Sequence, residues 1–78
     1  MTTNNSPEAQ QRTPEQVLET MNRRFVGKKV LIIGDHPHVD RVGVVDRAEK
    51  THAGWGYVVN FPQGDSCFVF SGKNWRLL

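Results

Sequence analysis

The hydrophobic period of this chain changes once, at Gly27, and that change limits the fold more than any other feature. Before it, Val17, Leu18, Met21 and Phe25 recur at helical spacing, whereas after it apolar and polar residues alternate in short runs. The runs are Lys28–Ile33, Val42–Glu49, Trp55–Phe61, Cys67–Phe70 and Trp75–Leu78. Between them lie Gly34–Arg41, Thr51–Gly54, Pro62–Asp65 and Ser71–Asn74, each rich in Gly, Pro, Asn, Asp or Ser. Five short strands with a long first loop and tight later ones predict an all-β fold over residues 27–78, a small and strongly bent barrel.

The N-terminal third divides in two. Residues 1–12 hold no aliphatic side chain larger than alanine after Met1, so nothing there offsets the entropy of ordering, and a disordered tail is predicted. At Thr13-Pro14-Glu15-Gln16 the chain acquires a helix start, with Thr13 as cap, Pro14 in the first helical position and Gln16 completing a capping box. The amphipathic helix is predicted over residues 13–26. Seventy-eight residues suffice for one hydrophobic core. In the first strand, Val30 and Ile32 facing that core would turn Leu31 and Ile33 outward. The helix is expected to cover them, with a second copy of the chain as the alternative.

Charge and cysteine content narrow the function classes. The formal charge is +2, and residues 28–78 carry seven bases against five acids, so the whole surplus lies in the predicted domain. This mild bias permits an anionic partner without requiring one. One cysteine, Cys67, excludes an intramolecular disulfide and a multi-cysteine zinc site, and fits a reducing compartment. The longest aliphatic run, Val30–Ile33, is too short to span a bilayer, and the N-terminus lacks the basic and apolar regions of a signal peptide. A cytoplasmic protein without membrane contact is expected.

The order of elements resembles an SH3-like barrel, and Val30–Val45 resembles a KOW motif, the strand-loop-strand unit of ribosomal proteins and transcription elongation factors. The matching positions are Val30 and Ile32, Pro37 in the loop, and Gly43 followed by Val44 and Val45. His38-Val39-Asp40 stand where the motif usually has a lysine and a second glycine. The layout of Gly56–Leu78 is also similar to the end of the plasmid-borne type II dihydrofolate reductases, which assemble around a central pore. Where their substrate-binding strand reads Val-Gln-Ile-Tyr, this chain has Cys67, Phe68, Val69 and Phe70. Both polar groups are replaced by phenylalanine, so the resemblance implies an architecture and not the reductase chemistry.

Several residues carry candidate chemistry. Asp35, His36, His38 and Asp40 are metal-ligand types within six positions, but a closed site needs four ligands in rigid geometry, and the expectation is no metal. His36 and His38 are instead expected as exposed loop side chains, with Asp35 and Asp40 bonding loop amides. Cys67, beside Phe68 in an apolar run, reads as a buried, inert thiol. Ser66 and Ser71 lack a triad signature, no paired carboxylates or phosphate-cradling glycine loop occur, and no catalytic residue or cofactor is assigned. Among the aromatic residues, Trp55 and Trp75 adjoin turns and the bases Arg47, Lys50, Lys73 and Arg76, which singles them out as exposed rings. Either ring could instead pack at an end of the barrel.

These readings combine into a non-catalytic interaction module. Its predicted surface comprises His36, His38, Arg41, Arg47, Lys50, Trp55, Lys73, Trp75 and Arg76. The partner is nucleic acid or ribonucleoprotein on the KOW-like stretch and basic surplus, or protein on the aromatic residues. The alternatives are an oligomeric enzyme or ligand binder with its site between copies, joined through Leu31, Ile33, Phe68 or Phe70, and an accessory protein of a mobile element.

Overall fold

The computed structural model describes residues 12–78, so all but the last residue of the predicted tail lies outside the described residues. One helix and five strands follow in order: α1 Pro14–Phe25, β1 Lys29–Ile32, β2 Val42–Thr51, β3 Gly54–Asn60, β4 Ser66–Phe70 and β5 Trp75–Leu77. All pairings are antiparallel, in a single sheet ordered β4-β3-β2-β1-β5.

The helix begins as its capping residues dictate. Thr13 Oγ1 accepts from the Gln16 amide at 3.2 Å, and Gln16 Oε1 accepts from the Thr13 amide at 3.0 Å. Glu15 in the first turn and Arg23 and Arg24 in the last complement the helix dipole. A three-turn helix is marginal alone. Its Leu18, Met21 and Phe25 pack against the sheet's core cluster, which supplies the missing stability. The helix therefore covers the same face as Val30 and Ile32 and leaves the opposite face, where Leu31 lies, without it. The expectation that it shields Leu31 and Ile33 is corrected by this docking.

Strand β2 departs from a strict two-residue period. Its register with β3 passes from Val45 opposite Val59 to Arg47 opposite Val58, leaving Asp46 as an extra residue. This bulge turns Val45 and Ala48, three positions apart, to the same core face, opposite Val59 and Tyr57. Beyond Val44, β2 has no partner in β1. The Ala48 amide on that stretch donates instead to Asn22 Oδ1 of α1 at 2.7 Å.

The core is Val30, Ile32, Val45, Ala48, Tyr57, Val59, Phe61 and Val69, with Cys67 and Trp75 packed half-buried beside it. Phe25, Tyr57 and Trp75 form a triangle of edge-to-face contacts at 5.3, 5.3 and 5.4 Å between ring centroids. Gly43 lies against Val59, where a Cβ would sit 2.5 Å from Val59 Cγ1 and 2.7 Å from the Asn60 carbonyl oxygen. Only glycine lets β2 approach β3 this closely.

Candidate functional site

The loop between β1 and β2 folds onto the turn between β3 and β4, and its histidines bond within the chain. Arg41 donates from Nη1 and Nη2 to the two carboxylate oxygens of Asp65 at 2.8 and 3.0 Å, and from Nη2 to Gln63 Oε1 at 2.8 Å. Arg41 Nη1 also lies 2.8 Å from His38 Nδ1. A guanidinium only donates, so this ring nitrogen accepts and carries no proton. His36 Nδ1 likewise accepts from the His38 amide at 3.0 Å, so His36 bears its hydrogen on Nε2 and donates it to the Phe68 carbonyl oxygen at 3.1 Å. Both imidazoles, expected in solvent, are half-buried. It is His36 Nδ1, rather than Asp35 or Asp40, that receives the loop amide of His38.

This clamp is built around Phe61, which is buried. The Arg41 guanidinium carbon stands 3.9 Å from the Phe61 ring centroid, and the His38 ring stacks on Phe61 at 5.3 Å. The Arg41 charge holds the Asp65 carboxyl below its ordinary range, chiefly through the direct hydrogen bonds. Cys67 next to the clamp is half-buried, and burial pushes its thiol up, which disfavours the thiolate. Among the described residues, no three His, Cys, Asp or Glu side chains converge to hold a metal ion.

The clamp also closes an edge. In β4, the carbonyl of Phe68 takes the His36 hydrogen bond, and that of Phe70 accepts from Trp75 Nε1 at 3.1 Å, with Ser71 O sharing the indole at 3.0 Å. Capped carbonyls make this edge a poor template for another strand.

The remaining predicted site residues are scattered. Arg47 is tied to Asp46 and Glu49, so its charge is answered within its own strand. Lys50 lies over the ring of Trp55 at 5.7 Å, at the far end of the β2–β3 hairpin. Trp55 and Trp75 are both half-buried, and Phe70, at 39% exposure, is the more open ring. Lys73 occupies the turn before β5, and Arg76 projects from β5 opposite Leu31.

A different surface emerges on the side of the sheet away from α1. Register places Arg76, Leu31 and Val42 in one row and Lys29, Val44 and Asn60 in the next, all on one face. Val42 and Val44 are 42% and 40% exposed, Ile33 just past β1 is 36% exposed, and Leu78 beside Lys29 is 61% exposed. Lys29, Val42, Gly43, Val44, Asn60, Phe61 and Pro62 line an open groove of about 390 Å³ here. Phe61 thus joins the two features: the clamp grips its ring, and the ring and the adjoining Pro62 wall the groove. Lys29 and Arg76 enter none of the ion pairs among the described residues.

Sequence reasoning found Leu31 and Ile33 facing outward but missed Val42, Val44, Asn60 and Pro62. The adjacent Val44 and Val45 were the available signal, since neighbours on a strand cannot both face the core. Comparison with protein-family profiles, with curated proteins and with solved structures returns no match to this chain.

Proposed function

We propose that residues 27–78 close into a small SH3-like barrel acting as a non-catalytic protein-interaction module, with the face bearing Leu31, Val42 and Val44 as its working surface. The strand order β4-β3-β2-β1-β5, the bulge at Asp46 and the side-chain links from His36 and Trp75 to β4 support the barrel reading. The functional reading is carried by one observation: a contiguous aliphatic face, uncovered by any described residue, beside a groove and two cations that pair with no acid among the described residues. Exposed apolar patches of this kind mark interaction sites. The nucleic-acid reading draws less support at this face, because Arg41 and Arg47 are bound by this chain's own carboxylates and the two apolar rows carry only Lys29 and Arg76 for phosphate.

Capture from nuclease-treated lysate of the native cells, with the wild-type chain and a Val42→Asp/Val44→Asp variant as baits, tests this. The wild type should retain proteins that the variant loses, with both chains melting within a few degrees of each other. Identical captures by both baits, or captures that appear only when the nuclease is left out, would overturn the reading.

A further inference from the structure

We infer that the occupant of this face is an acidic, aliphatic peptide segment of a partner protein, an inference that rests on the interaction-module reading above. The apolar floor is aliphatic, from Val42 and Val44, with Leu31 next to Val42 in the same row and Pro62 at the wall, and its aromatic component, Phe61, is buried. Such a floor rewards burial of branched aliphatic side chains, and it lacks the exposed rings on which bases stack.

Charge then selects among aliphatic partners. Lys29 lies beside Val44, and Arg76 lies beside Leu31, so both cations sit along the same side of the apolar rows. No acidic side chain occupies either row, and the nearest acid on β2, Asp46, is engaged with Arg47. Across the groove the wall is the neutral amide of Asn60 and Pro62. A segment with apolar side chains over Val42 and Val44 and carboxylates toward β1 and β5 satisfies every group on the face. A second copy of this chain does so poorly, because the same two rows would offer it cations and no acidic side chain to meet Lys29 and Arg76. Two cations are likewise few for a polyanion, whose binding grows with the number of phosphates neutralised.

Selection from a phage-displayed random peptide library on the immobilised full chain tests the inference, followed by titration of the synthetic consensus peptide into 15N-labelled protein. The expected consensus combines Leu, Ile or Val with Asp or Glu, and the peptide should shift the amide resonances of Leu31, Val42, Val44 and Asn60. Lys29→Glu/Arg76→Glu should weaken binding about tenfold and turn a repeated selection toward basic peptides. Val44→Asp should abolish binding. Neutral or basic consensus peptides lost on Val44→Asp would overturn the acidic chemistry while leaving the interaction face standing. Failure to enrich any peptide that maps to this face would overturn both, as would sedimentation showing dimers that Val44→Asp dissociates.

Discussion

His36 Nε2 donates to the Phe68 carbonyl oxygen at 3.1 Å, joining the β1–β2 loop to a strand 32 residues away. The same ring accepts the His38 amide on its other nitrogen, so one side chain satisfies a strand edge and orders a loop together. Replacing it removes both partners. His36→Ala should lower the unfolding free energy by about 1–3 kcal/mol, read from urea denaturation, and speed hydrogen exchange at the His38 amide. Unchanged exchange there would contradict the assigned tautomer.

The Arg41–Asp65 pair gives a pH dependence of definite sign. Asp65 is held below its ordinary carboxylate value in the folded chain, so the pair stabilises fully above the unfolded-state range and loses that contribution as pH falls through the folded value. Asp65→Asn should remove this part of the acid dependence while leaving stability at pH above that range reduced and flatter. Parallel acid titrations of the two chains by circular dichroism check it.

Gly43 is fixed by packing. Gly43→Ala places a methyl group against Val59 and the Asn60 carbonyl, both within the sheet, and should cost about 1–3 kcal/mol. Thermal melts measure the loss. Because Phe61 Cδ1 lies 3.0 Å from the same Cβ position, the groove should also be disturbed.

The two tryptophans should respond differently. Trp75 packs on Phe25 and Tyr57 and donates to two carbonyls, so Trp75→Ala should cost about 3–5 kcal/mol. Trp75→Phe keeps the ring contacts and should lose about 1 kcal/mol, the share of the indole hydrogen bond. Trp55 has Lys50 above it at the end of a hairpin, and Trp55→Ala should cost nearer 1 kcal/mol. Equal losses at the two positions, in chemical denaturation, would show that the aromatic triangle is not the anchor of α1.

These contrasts show where the sequence was legible. Strands, turns and the Thr13–Gln16 cap are local, and each follows from neighbours a few positions apart. The bulge at Asp46 is different: nothing in Val45-Asp46-Arg47-Ala48 announces it, because it depends on how β2 must bend to put both Val45 and Ala48 over β3. Arg41 and Asp65 are 24 residues apart, and their pairing required the fold. That pairing ties Arg41, read from the sequence as a binding cation, to a carboxylate of its own chain and sets it over Phe61. The docking of α1 was likewise undetermined locally, since its apolar stripe fits either face of the sheet. Once the helix took the Val30 and Ile32 face, Leu31, Val42 and Val44 were left outward.

The direct test of that arrangement is solvent paramagnetic relaxation of methyl-labelled valines in the dilute, full-length chain, with a neutral gadolinium chelate as probe. Val42 and Val44 methyl signals should broaden strongly while those of Val30, Val45, Val59 and Val69 are spared. Protection of Val42 and Val44 equal to that of the four core valines would mean that this chain already covers its own outer face, and would contradict the account.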